Sequence, residues 1–218
     1  MLKGTIIETE YYRLLERYLV PVLVKLRHRP NHVSLLGLLL SLVAGISFAF
    51  RPFWGGVFTL LAGLVDTLDG SLARSTGQAR KYGAFLDSVL DRYAELLIYL
   101  GIYFYFYRQG NLGPALTLLF LLILFGSLMV SYTRARAEGL GQKCLVGLLQ
   151  RGERVILLGI GGMANPLFNR LTELPFSRST QDAVLMVVLV VLAVGTNLTA
   201  LWRFWHVLNN LKREGTRG

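Results

Sequence analysis

The stretch DTLDGSLARSTGQARKYGAFLDSVLD, Asp66 to Asp91, decides how this chain is read. It holds four of the chain's five aspartates and lies between long apolar runs. Asp66 and Asp69 are three residues apart, and Asp87 and Asp91 are four apart, so on helices each pair shares a face. The link between them, about Arg74 to Tyr82, is short and makes the flanking helices antiparallel neighbours. Both acidic pairs then lie at one membrane depth and converge. Converging carboxylates near a bilayer are costly unless they are neutralised. Divalent cations with oxygen ligands do this well, and a pair of Mg2+ or Mn2+ ions suits phosphoryl chemistry.

The surrounding composition is that of a membrane protein. Of 218 residues, 53% are hydrophobic and 17% charged, and the mean hydropathy is +0.49. Apolar runs of about 18 or more residues recur, the length that spans a hydrocarbon core. The reading is an all-α integral membrane protein with six transmembrane helices and an N-terminal interfacial amphipathic helix. The spans run from about Val33 to Phe50, Phe53 to Ala73, Gly83 to Tyr107, Leu112 to Ala135, Val155 to Leu171, and Ala183 to Val207. From Thr5 to about Leu26, apolar residues such as Ile7, Leu14, Leu15 and Tyr18 recur at helical spacing among Glu8, Arg13, Glu16 and Arg17, the pattern of a helix lying in the interface. Residues 1–29 form this segment, 30–210 a single six-helix unit and 211–218 a basic tail. The N-terminus lacks the compact apolar core of a cleavable signal peptide.

The net charge of +10 is distributed by topology. With the N-terminus in the cytoplasm, the cytoplasmic segments collect most of the basic residues, among them Lys3, Arg13, Arg17, Lys25, Arg74, Arg80, Lys81, Arg134, Arg136, Arg151, Arg154, Arg203, Lys212 and Arg213. The opposite side holds Arg51, Arg108, Arg170 and Arg178. This is the positive-inside bias, and an even number of spans puts both termini inside, with the acids at the cytoplasmic ends of spans two and three of a cell membrane protein. Headgroups and topology account for the basic excess; no aromatic-rich basic stripe points to nucleic acid. The single cysteine, Cys144, excludes an internal disulfide and a Cys-rich metal site. His28, His32 and His206 lie near membrane boundaries and read as surface or core residues.

Small residues adjoin the acids. Gly70 and Ala73 follow Asp69, and Gly83 precedes Asp87 by one turn, leaving room for a bulky ligand. Arg74 and Arg80 are placed to pair with phosphate oxygens. The rival reading is an ion path, a cation transporter. It calls for polar residues continuing to the far side, whereas LLIYLGIYFYF and ALTLLFLLILFG turn apolar.

The segment fits D-x2-D-G-x2-A-R-x8-G-x3-D-x3-D at every fixed position and resembles the signature of the CDP-alcohol phosphatidyltransferases. The resemblance implies that Asp66, Asp69, Asp87 and Asp91 are ligands of two metal ions (Mg2+, with Mn2+ possible), and that Asp91 is the general base. It places Gly70, Ala73, Arg74, Arg80 and Gly83 at the CDP-lipid. The segment PNHVSLLG is similar to the family's entry to its first span, which adds Pro30, Asn31 and Ser34 to the nucleotide site. The implied donor is CDP-diacylglycerol or CDP-archaeol, and the implied assembly is a homodimer.

The acceptor is read from SYTRARAEGLG and QRGERV. Several arginines at one level suit a phosphate monoester. The region is similar to that of phosphatidylinositol phosphate synthases and their archaeal relatives, which implies inositol phosphate as acceptor, held by Ser131, Arg134, Arg136, Arg151, Arg154 and Arg203. Many of those enzymes carry Lys where Arg134 stands and Glu where Gln150 stands. The alternative is the same chemistry with glycerol 3-phosphate or an uncharged alcohol such as serine.

Overall fold

The computed structural model describes residue 10 and residues 13–25, 30–77, 80–172 and 181–215. Among these there are helices and connections but no strand. A π-helical turn, Leu15–Leu19, runs directly into α1 (Val20–Lys25). Then follow α2 (Pro30–Phe50), α3 (Pro52–Ser75), α4 (Lys81–Arg108), α5 (Pro114–Gly139), α6 (Arg151–Thr172) and α7 (Ala183–Gly215). Prolines open α3 and α5 at the first turn, where a missing N–H costs nothing. Each long helix covers the span expected for it except α5, which begins at Pro114 rather than Leu112, and α7 continues eight residues past Val207. The part of the expected N-terminal helix before residue 13, Glu10 apart, lies outside the described residues, as does Arg178.

Four helices are long and apolar enough to cross a membrane: Asn31–Phe50, Pro52–Ser75, Pro114–Gly139 and Ala183–Glu214. The expectation of six is met to that extent. The other two long helices are more polar for identifiable reasons. In α4 the first half carries Asp87, Asp91, Arg92 and Glu95, and α6 carries Asn165, Asn169 and Arg170 among its glycines. The protein is nonetheless a multi-pass membrane protein by its surface. Leu39, Phe50, Leu121, Phe125 and Val187 are among many large apolar side chains left exposed along the helices, a surface suited to lipid. Exposed aromatics mark both ends, Trp54 and Tyr107 at one and Tyr132, Trp202 and Trp205 at the other, as at two bilayer interfaces.

Successive long helices reverse direction along the chain, so α2 and α4 run parallel, as do α5 and α7. α2 lies against both α3 and α4, α3 against α6, and α5 against α7, whereas α4 touches α3 and α5 little; the short link does not make α3 and α4 packed neighbours as expected, because α2 packs against both. The core is made by Phe48, Tyr99, Ile102, Phe106, Phe120, Ile123, Leu158, Leu185, Leu189 and Leu192. In lipid such a core has no hydrophobic drive between helices, so close backbone approach matters more. At the α2–α4 crossing, a Cβ on Gly101 would stand 2.0 Å from the Gly45 carbonyl oxygen. No side chain fits there. A smaller cluster, Leu15, Val20, Val33, Leu68 and Leu72, seats the N-terminal segment on the end of α3 that carries the acids.

At the opposite end the fifth aspartate ties α4, α6 and α7 together. Asp182 is 2% exposed and has a left-handed backbone (φ 62°). Its Oδ1 accepts hydrogen bonds from the Tyr105 hydroxyl at 2.8 Å, Asn165 Nδ2 at 2.6 Å and Asn169 Nδ2 at 3.1 Å. In return the Asp182 and Leu185 amides donate to the Asn169 and Asn165 side-chain oxygens. Nearby, Arg108 donates to the Ala49 carbonyl and lies over the Phe50 ring.

Candidate active site

Helical spacing, and the packing of both α3 and α4 on α2, bring their acids together. Oxygen atoms of Asp66, Asp87 and Asp91 all lie within 4.8 Å of one another, each residue half-buried. Asp69 is more deeply set, at 6% exposure, and its Oδ2 accepts a 2.5 Å hydrogen bond from the Ser34 hydroxyl at the start of α2. Three acids thus share one point and the fourth stands beside it, tied to a second helix. The cavity at the acids is lined by Ser34, Gly37, Ser41, Asp66, Asp87 and Asp91, with Arg151.

The neighbouring positions are open. A Cβ on Gly83 would come no nearer than 3.6 Å to Asn31 Oδ1, so α2 and α4 begin side by side here. Pro30 opens α2, and its side chain lies outside the described residues. Gly70 faces the Arg74 guanidinium, which donates to Ser71 Oγ at 3.0 Å. Ala73 is half-buried, while Arg74 and Arg80 are exposed at the same end of the bundle.

The arginines divide into three groups. Arg151, the first residue of α6, reaches the acids: its Nη1 lies 2.5 Å from Asp66 Oδ2 and 2.5 Å from Asp91 Oδ1. Arg154, one turn on and 1% exposed, donates Nε and Nη2 to Glu95 and Nη1 to the Leu149 carbonyl. Arg203, also buried, donates to the carbonyls of Val146 at 2.8 Å and Val130 at 2.5 Å. Arg134 pairs with Glu138 across an exposed helical turn at 2.8 Å, and Arg136 is exposed. Ser131 donates back to the Ser127 carbonyl within α5.

An irregular connection, residues 140–150, positions the first two arginines. Its Leu148 and Leu149 amides donate to Thr199 Oγ1 at 3.2 and 3.1 Å. Gly147 has φ +129°, and a Cβ there would meet Thr199 Cγ2 at 2.4 Å. Only glycine suits both demands. Gln142 closes the far side of the connection onto Glu214 of α7.

Two residues of this end escape a reading based on the signature. Glu95 continues the series Asp87, Asp91 by four residues, and that periodicity is its sequence signal. Arg92 lies beside Asp91, with Nη1 at 3.6 Å from Asp91 Oδ2 and without a hydrogen-bond partner. Adjacency in sequence alone does not foretell that a guanidinium is buried there.

A model of the CDP-alcohol phosphatidyltransferase family matches residues 27–195. The archaetidylinositol phosphate synthase of Methanothermobacter thermautotrophicus is 35% identical over 161 residues, 73% of this chain and 79% of its own. The phosphatidylinositol phosphate synthase of Mycobacteroides abscessus is 29% identical over 160 residues, 72% of each chain. The crystal structure of the Mycobacterium tuberculosis phosphatidylinositol phosphate synthase with CDP-DAG bound superposes with a TM-score of 0.73 at 27% identity, covering 88% of this chain and 94% of that one. A second structure of that enzyme, with manganese and citrate, gives a TM-score of 0.72 at 27% identity and covers 87% of each chain. With the signature's acids converging at one end of the helical bundle, these likenesses establish that the chain belongs to the CDP-alcohol phosphatidyltransferase family, as a membrane transferase of phospholipid synthesis.

Proposed function

We propose that the protein transfers a phosphatidyl or archaetidyl group from a CDP-linked lipid to a hydroxyl of inositol phosphate, with release of CMP. The observation that carries this reading is the meeting of Asp66, Asp87 and Asp91 at the end of the bundle where the arginines gather. The donor set fits divalent metal: carboxylate oxygens only, from two helices, within the reach of one ion's ligand shell. A cationic nitrogen already sits between two of these acids, which supports a field that attracts positive charge. Asp66, Asp69, Asp87 and Asp91 would hold the ions, Mg2+ or Mn2+. Two bound ions would neutralise charge on the diphosphate and on departing CMP.

The chain's own residues supply the rest. Gly70, Ala73 and Gly83 leave room for the CDP moiety, Arg74 and Arg80 pair with its phosphates, and Pro30, Asn31 and Ser34 edge the nucleotide. Asp91 accepts the proton of the acceptor hydroxyl. That oxygen bonds to the lipid-side phosphorus as the bond from phosphorus to the CMP oxygen breaks, and CMP leaves with the electron pair. Arg134, Arg136 and Arg151 hold the acceptor's phosphate, with Ser131 at their edge; Arg154 and Arg203 act through the backbone and Glu95 that they bind.

In the same reading all six long helices cross the membrane. α4 has 28 residues and α6 has 22, long enough beside the four apolar spans. The segment before residue 30 lies in the interface, and its exposed Leu14, Tyr18, Leu19 and Val22 would face lipid. Both termini and the acids face the cytoplasm of a cell membrane, residues 30–210 form the catalytic unit, 211–218 its basic tail, and two chains form a homodimer.

The test is CMP release by the purified protein with Mg2+ and a CDP-lipid, offered inositol 1-phosphate, glycerol 3-phosphate, inositol and serine in turn. Release with inositol 1-phosphate alone is expected. Release with glycerol 3-phosphate or serine instead would keep the acids in their roles and replace the acceptor.

A further inference from the structure

Among the described residues, Arg151 is the basic residue that bridges two acids of the trio, Asp66 and Asp91, whereas Arg92 lies 3.6 Å from Asp91 alone. Arg154 is fixed by Glu95 and by the Leu149 carbonyl, and the preceding loop is clamped by Thr199. The backbone at Arg151 is therefore anchored. Its side chain is held by the acids through Nη1, while its buried Nε has no hydrogen-bond partner. Beside it, a Cβ built at Gly152 would meet nothing within 4 Å. A guanidinium and a divalent ion cannot both occupy Asp66 Oδ2 and Asp91 Oδ1, since they need the same lone pairs and repel each other. No ion pair joins Arg151 to Asp87 among the described residues, so that carboxylate is left as a foothold for an incoming ion.

We propose that Arg151 is an internal counter-cation that competes with the divalent metal for Asp66 and Asp91. Metal loading drives the guanidinium off the acids and releases it toward the acceptor's phosphate. This rests on the metal-site reading of the acids given above.

The test is Mn2+ binding to the full-length protein in nanodiscs, without CDP-lipid, by calorimetry or by the EPR signal of free Mn2+. Arg151→Gln removes the competitor and should bind Mn2+ about tenfold more tightly than the wild type, the scale expected when a partly buried ion pair no longer has to be broken. Arg151→Lys, shorter and less able to span both acids, should be about threefold tighter by the same argument. In EDTA Arg151→Gln should melt below the wild type, and saturating Mn2+ should close the gap, which a merely structural arginine would not produce. Unchanged or weaker Mn2+ affinity in either folded variant overturns the proposal. Asp87→Asn, which leaves the Arg151 contacts intact, tests the underlying reading separately. Wild-type Mn2+ affinity in that variant would remove the metal site itself, whereas its loss together with an unaltered Arg151→Gln removes only the competition.

Discussion

The two ends of the bundle treat a carboxylate in opposite ways. Asp182 is a single acid among neutral donors, with three side chains giving hydrogen bonds to one oxygen and its own amide returning one. At the other end four acids crowd together, with Asp66 and Asp91 sharing the Arg151 guanidinium and Asp91 also near Arg92. A buried acid whose hydrogen bonds are complete is part of the architecture. A cluster with more negative charge than fixed positive charge stores a demand that a ligand can meet. The difference separates a joint from a reaction centre without reference to any motif.

Asp91→Asn offers the strongest challenge to that contrast. CMP release should fall by about 10²–10⁴-fold, the usual contribution of a positioned base, while the protein stays folded and binds the CDP-lipid. Normal turnover would make Asp91 a second Asp182. Conversely, Asp182→Ala strands the donors of Tyr105, Asn165 and Asn169 and should cost about 2–3 kcal/mol of stability. It should lower the melting temperature by roughly 5–10 °C and leave the rate of the folded fraction near wild type; a rate loss without a stability loss would put Asp182 in the chemistry.

The arginines sharpen the comparison, since the same end holds both kinds. Exposed Arg136→Ala should raise KM for the phosphorylated acceptor by about tenfold, the worth of a charge-assisted contact, with little change for the CDP-lipid. Equal effects on both substrates would make it only a membrane anchor. Smallest of all, breaking the exposed Arg134–Glu138 pair through Glu138→Gln should alter stability by less than about 0.5 kcal/mol in a melting curve.

Much of this was legible in the sequence because it depends on local periodicity. Spacings of three and four put the acids on helix faces, the short link put both acid-bearing ends at one end of the bundle, and apolar runs located the long helices; that α2, rather than α3, is the helix packed along α4 was not legible. What periodicity does not encode is which side chains meet across helices. Arg154 and Arg203 look in sequence like free cations at a membrane boundary, yet both are consumed by internal partners, Glu95 and backbone carbonyls. Those contacts cross from α6 to α4, and from α7 to α5 and the 140–150 connection. Ser34 likewise draws Asp69 aside from the trio, a distinction that four identical letters do not carry. Even so, Glu95 extends the Asp87, Asp91 ladder by one step, and its burial beside an arginine follows once that ladder is continued.

The touching backbones of Gly45 and Gly101 have a mechanical meaning. They form a fulcrum low in the bundle, with the acid-bearing end of α4 as the long arm. From Gly101 to Asp87 that arm is roughly 21 Å at 1.5 Å per residue. A tilt of about 3° at the pivot would therefore swing Asp87 by roughly 1 Å, a displacement large enough to cost two orders of magnitude in rate. A single methyl group at Gly101 would thus act at a distance, detuning the carboxylates without touching them.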